Sequence, residues 1–169
     1  MTMTLDELNR LTKEEAIAAF ARCCGTRRWG ERMAESRPFA SPAALFDEAD
    51  RIWSALGEAD WREAFVHHPR IGGVDDLRKK FGSTAAWASG EQSGVQGASE
   101  EVLKGLADGN ARYEKRYGHI FLVCATGKSA AEMLAILESR MNHSPEEELR
   151  IAAGEQAKIT RIRLEKLLA

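Results

Sequence analysis

His67-His68-Pro69 is the first place in this chain where chemistry could be done. The two imidazoles follow the apolar end of "WREAF" and precede Arg70, Ile71 and two glycines. Histidine titrates near neutral pH, so it can serve as acid or base. The ring of Pro69 fixes the backbone beside it, which gives His68 a rigid mount. The competing reading is a histidine that bonds a backbone carbonyl at a helix terminus. On composition alone, His67 and His68 rank equally.

Glu91-Gln92 is the second candidate, set among small residues in "WASGEQSG". A carboxylate beside a carboxamide offers a base, an acceptor and a group that hydrogen-bonds in both directions. The plainer alternative is a solvated helix start, with the glutamate near the positive end of the helix dipole.

Arg163 is the third. In a helix of about 3.6 residues per turn, positions 149, 152, 153, 156, 159, 160, 163 and 167 share one stripe. They read Leu149, Ala152, Ala153, Gln156, Ile159, Thr160, Arg163 and Leu167. A buried guanidinium needs a carboxylate, a cage of backbone carbonyls or an anionic ligand. An internal salt bridge to a glutamate stays open. Arg161 falls off the stripe, and Ile162 lies nearly opposite it, where a subunit contact would suit it.

Other chemistries find no footing. There is no P-loop, no GxGxxG and no G-x-S-x-G elbow. The four histidines have no metal-ligand spacing, and the cysteines form no CxxC, so no metal site is expected. Cys23, Cys24 and Cys124 are an odd set with two neighbours adjacent, a poor disulfide framework that fits a reducing compartment. Cys124 reads as a small core residue. With 24 basic and 26 acidic residues and no basic stripe, nucleic acid is not an expected partner. No apolar run is long enough to span a membrane. "MTMTLDELNR" lacks an apolar signal core and "EKLLA" lacks the S-K-L peroxisomal address, so a cytoplasmic protein is expected.

The elements that must position these residues are helices. Thr4 with Glu7, and Thr12 with Glu15, are capping-box patterns ahead of apolar periodicity, and Gly25 is expected to end the second helix. "TRRWGER" reads as a solvated turn or helix start. Ser41-Pro42 opens a helix carrying Leu45, Ala49, Ile52, Trp53 and Leu56. A helix through "EADWREAF" must stop before Pro69. Residues 72–98 are rich in Gly, Ser and Ala and read as short helical pieces joined by turns, since Phe81, Trp87 and Val95 still need burial. Ser99 caps a helix to Tyr117 with Leu103, Leu106, Asn110, Tyr113 and Tyr117 on one side. "HIFLVCA" is the one strand-like run, and a lone extended segment makes no sheet. Ser129 opens a helix ending near Asn142-His143, and Ser144-Pro145 opens the last, to Leu168. The 169 residues therefore predict one all-α domain, a bundle of about seven to nine helices.

Taken together the candidates form a pattern. "HHPRIGG", then "AWASGEQSGV", then Asn110, Tyr113, Tyr117 and Gly118 in an N-x-x-Y-x-x-x-Y-G run, then "TRIRLEKL", resemble the 2-oxo-4-hydroxy-4-carboxy-5-ureidoimidazoline (OHCU) decarboxylase family of urate degradation. The resemblance runs from about residue 5 to residue 167. It implies an all-α, often dimeric, cofactor-free enzyme that converts OHCU to (S)-allantoin with loss of carbon dioxide. The family's catalytic histidine precedes the proline, which makes it His68, with Glu91 beside it in catalysis. Pro69, Gln92, Arg163 and the backbone of Ile120 are implied to bind substrate. The family's serine is expected three residues before the glutamate. Ala88 stands there and Ser89 follows, so either the loop is shifted by one residue and Ser89 supplies the hydroxyl, or that contact is absent.

The chemistry is coherent with these groups. Losing carbon dioxide leaves an electron pair, and the substrate's own imine is the sink for it, so no cofactor is required. His68 is expected to transfer a proton, Glu91 to hold the substrate hydroxyl and tune His68, and Gln92 to bond a ureido or ring carbonyl. Two other readings stay open: a helical module that binds a partner helix without catalysis, and a related lyase acting on another ureido or imidazoline acid.

Overall fold

Capping chemistry sets where the helices begin. Thr4 and Thr12 each accept a bond from the backbone N–H three residues on, while Glu7 and Glu15 reach back to the cap, so both capping boxes form. The computed structural model describes residues 2–68, 73–77 and 99–169, and its fold is all-α. The helices are α1 Leu5–Arg10, α2 Lys13–Ala21, α3 Arg27–Glu35, α4 Pro42–Ala55, α5 Glu58–Val66, α6 Glu100–Tyr117, α7 Ala130–Arg140 and α8 Pro145–Leu167. A further helical turn covers residues 74–77, with Leu77 buried. Phe81, Trp87, Val95 and most of the Gly/Ser-rich stretch lie outside the described residues. The chain packs as two units, Met1–His68 with Ala153–Ala169, and Pro69–Ala152.

In the first unit the indoles anchor the core. Trp29 meets Phe20 edge-on with ring centroids 5.8 Å apart. Each buried indole also needs a partner for its N–H. Trp29 donates to the carbonyl of Ala49 at 3.2 Å and Trp53 to that of Ala153 at 2.9 Å, and the half-buried Trp61 donates to that of Trp53 at 3.1 Å. "TRRWGER" is more than a solvated turn. It forms the body of α3, which buries Trp29, Gly30, Met33 and Ala34 while Arg27 and Arg28 stay on the surface, paired with Glu31 and Asp60. The guanidinium of Arg37 donates to the carbonyls of Leu8 and Leu11 at 2.8 Å each, closing the end of α1.

Gly25 does not end the second helix. α2 stops at Ala21, and Cys23 and Cys24 both turn inward, each donating its N–H to the carbonyl of Phe20. The glycine serves packing instead: a β-carbon there would fall 2.5 Å from Cδ2 of His67.

In the second unit α6 buries Leu103, Leu106, Asn110, Tyr113 and Tyr117, the residues its periodicity places on one side. Gly118 then takes φ +77°, a left-handed cap that glycine adopts without steric cost. The run His119–Cys124 lies outside any helix, and among the described residues no strand forms. Side chains bond three of its carbonyls. His119 Nδ1 donates to Ile120 O at 3.0 Å, Arg140 to Leu122 O at 2.6 Å, and Lys128 to Cys124 O at 2.8 Å. Arg140 is also ion-paired with Glu148 at 2.5 Å, and both are buried. The Tyr113 hydroxyl donates to the same carboxylate at 2.5 Å. Burial and this acceptor push the Tyr113 phenol well above its ordinary value.

Candidate active site

α5 ends on an apolar footing. Ala64 and Phe65 are buried, and their carbonyls receive the N–H groups of the next turn: His67 N donates to Ala64 O at 3.2 Å and His68 N to Phe65 O at 3.1 Å. The two neighbouring imidazoles then part company. His67 is exposed and lies against Gly25. His68 is half-buried, and its Nε2 meets Oε1 of Gln156 at 2.5 Å.

Gln156 is completely buried on α8. Its Nε2 donates to Thr160 Oγ1 one helical turn on, at 3.0 Å. The Thr160 and Thr26 side chains partly offset the burial that raises the Cys24 thiol, and the Thr26 hydroxyl donates to the carbonyl of Asp60 at 2.5 Å. The stripe read from α8 is therefore real: Leu149, Ala152, Ala153, Gln156, Thr160 and Leu167 are buried, and Ile159 and Arg163 partly so. Sequence reasoning placed Gln156 on this stripe without giving it a role. The signal was a carboxamide on an otherwise apolar face, which has to find a partner.

Arg163 follows on the same face. It donates to the carbonyl of Cys23 at 3.4 Å. Among the described residues no carboxylate pairs with it, so within them the internal salt bridge left open by the sequence does not form. It lines a hollow of about 310 Å³ together with Thr2, Arg22, Cys23, Lys166 and Leu167. Arg161, off the stripe, is spent on the surface, paired with Glu165 at 3.2 Å and lying over the Phe46 ring at 4.6 Å.

The electrostatics favour an uncharged imidazole. Burial holds the His68 pKa below its ordinary value, the bond to Gln156 partly opposes this, and the charges of Arg163 and His67 lower it further. The neighbouring thiols are kept protonated. Burial pushes Cys23 up to about 11 and raises Cys24 as well. None of the three cysteines is in a disulfide, and all are buried.

His68, Arg163 and Gln156 thus belong to one packed unit. Ile120 belongs to the other, half-buried, with its carbonyl bonded by the ring of His119. Pro69, Ser89, Glu91 and Gln92 lie outside the described residues. What the described part offers is a neutral imidazole at a helix end, held on one side, with a guanidinium near enough to influence its charge.

Comparison with known proteins gives this arrangement a context. The sequence matches the family model described as OHCU decarboxylase over residues 9–165. It is 35% identical over 147 residues to the uric acid degradation bifunctional protein TTL of Arabidopsis thaliana, covering 87% of this chain but 45% of that protein. It is 27% identical to the 2-oxo-4-hydroxy-4-carboxy-5-ureidoimidazoline decarboxylase of Haloferax volcanii, covering 96% of this chain and 94% of that one. Among solved structures, a crystal structure of OHCU decarboxylase in the presence of (S)-allantoin superposes with a TM-score of 0.71 at 34% identity, covering 94% of this chain and 99% of that one.

Proposed function

Because the chain belongs to the OHCU decarboxylase family, we propose that it decarboxylates 2-oxo-4-hydroxy-4-carboxy-5-ureidoimidazoline to (S)-allantoin without a cofactor. The observation that carries this reading is the family match across residues 9–165. The neutral imidazole of His68, with Arg163 nearby, supports it. Residues 1–169 act as one OHCU decarboxylase-like domain, a cytoplasmic homodimer, with a ureidoimidazoline acid as its small-molecule partner and neither nucleic acid nor membrane. Among the described residues no helix is long and apolar enough to cross a membrane.

The proposed chemistry follows from the substrate's own electronics. The bond to the carboxylate breaks, carbon dioxide leaves, and the electron pair passes into the adjacent imine, whose nitrogen takes up a proton from water. His68 accepts the hydroxyl proton, so that the ring carbonyl of the product can form. Glu91 holds that hydroxyl. Gln92, Pro69, Ser89 and the backbone of Ile120 orient the ring and the ureido group. Arg163 supplies positive charge where negative charge develops. A proton delivered to one face of the ring carbon sets the S configuration. Stereocontrol is much of the function, because the unassisted reaction yields a racemate.

Chiral analysis of the product from freshly generated OHCU tests the reading. Faster decay with mainly (S)-allantoin, unchanged by EDTA, is expected. Racemic allantoin at the uncatalysed rate refutes the activity, and loss of activity with EDTA refutes the cofactor-free part. Light scattering on the eluting protein decides the dimer.

A further inference from the structure

We infer that Gln156 is a positioning residue that holds His68 as the Nε2–H tautomer and so makes Nδ1 the atom that takes the proton. The inference deepens the proposed role of His68 and rests on it. It starts from two contacts. The carboxamide of Gln156 is completely buried, so both of its ends need partners. Its Nε2 donates to Thr160 Oγ1 at 3.0 Å, and its Oε1 faces His68 Nε2 at 2.5 Å.

A carboxamide has one donor end and one acceptor end. Thr160 Oγ1 is the atom that accepts from the amide nitrogen. The amide oxygen is then the end that faces His68. An oxygen accepts only, so His68 Nε2 must carry a hydrogen. In a neutral imidazole with Nε2 protonated, the lone pair sits on Nδ1.

Burial at the ring favours the neutral form, as do the charges that face it among the described residues, Arg163 from α8 and His67 from its own turn. Thr160 is the second member of the device. One helical turn from Gln156, it keeps the amide from flipping. The arrangement fixes two things at once: the plane of the ring, and which nitrogen is basic.

The test reads the tautomer directly. Side-chain nitrogen NMR on protein labelled with ¹⁵N-histidine, at a pH above the titration of His68, is expected to show the Nε2–H form in the unmodified chain. Gln156→Leu removes the acceptor and is expected to give mixed tautomers. It should lower kcat by roughly 10-fold with KM little changed, as expected for loss of one hydrogen bond to a reacting group.

Gln156→Glu keeps an acceptor on Nε2. It should retain the tautomer and raise the His68 titration, moving the acidic limb of the pH–rate profile upward. Thr160→Val frees the amide to turn and should produce the tautomer mixing of Gln156→Leu in milder form. It is the variant to use if Gln156→Leu does not fold. An Nδ1–H form in the unmodified chain, or an unchanged tautomer in both Gln156→Leu and Thr160→Val, overturns the inference. These spectra are independent of catalysis. Activity retained by His68→Ala would overturn the role of His68 and leave the tautomer result standing.

Discussion

The ring of His67 occupies the space where any other residue at position 25 would carry its β-carbon, 2.5 Å from that atom's ideal place. The contact explains how two consecutive histidines acquire different tasks. One is packed down on a glycine, and the backbone it fixes carries the other toward Gln156. Gly25→Ala is expected to cost about 1–3 kcal/mol, as overpacking does elsewhere. The His67 Cβ, 2.8 Å from the new methyl, has to move as well as the ring. Thermal melts should show a fall of several degrees, accompanied by lower kcat.

Substituting the two imidazoles separates their roles. His68→Ala is expected to lower kcat by about 10²-fold, the usual size for an acid–base group. His67→Ala should lose far less, since its ring faces solvent and Gly25. Steady-state rates on both folded variants decide the matter, and equal losses would refute the assignment.

The pH dependence has a definite sign. The folded His68 pKa lies below the ordinary 6.5, so the acidic limb of kcat/KM is expected below that value. Stability follows the same linkage. The unfolded chain takes up the proton first, near 6.5, and the folded chain only at lower pH. The contribution from keeping His68 neutral is therefore present above that value and is lost as pH falls through the folded pKa. Denaturant melts of the parent and His68→Gln across this range should diverge on the acid side only.

Arg163 and Arg161 make a matched pair. A cation touching only the departing carboxylate would lose its partner charge as carbon dioxide forms, so Arg163 must also reach an oxygen where charge grows. Arg163→Lys keeps the charge and loses the planar fork. It is expected to lower both kcat and affinity, by about 10-fold or more. Arg161→Lys should be nearly silent, because its ion pair with Glu165 is exposed. Unchanged kinetics in Arg163→Lys would leave only its bond to Cys23 O, a structural role.

Glu148 and Arg140 form a buried ion pair in the second unit. Glu148→Gln or Arg140→Met leaves a buried partner without its counter-charge, at a cost of about 3–5 kcal/mol. The melting temperature should fall by about 10 °C or more. Tyr113→Phe, which removes one donor from the same carboxylate, should cost less.

Local chemistry was the legible part of this sequence. The capping boxes at Thr4, Thr12 and Ser129 form as read, because each is complete within four residues. The polar positions on the α8 stripe were legible for the same reason: periodicity is a local property. Their partners were not. Gln156 meets a histidine 88 residues away, and nothing in the spacing of either announces the other. Nothing in the spacing of Arg140 and Glu148 marks them as a pair, and only tertiary packing brings them together in the core. Gly25 looked like a helix terminator because glycine often is one, whereas here a neighbouring side chain claimed its missing β-carbon. Pro69, Ser89, Glu91 and Gln92 came from the family pattern and fall outside the described residues.

The buried thiols turn the molecule into its own stopwatch. A thiol reacts through its thiolate, and burial holds Cys23 and Cys24 protonated. An alkylating reagent at neutral pH therefore meets these two only when the first unit opens, and Cys124, buried in the second, only when that one does. The order in which mass spectrometry finds the three labelled records which part of the chain gives way first, with no residue changed.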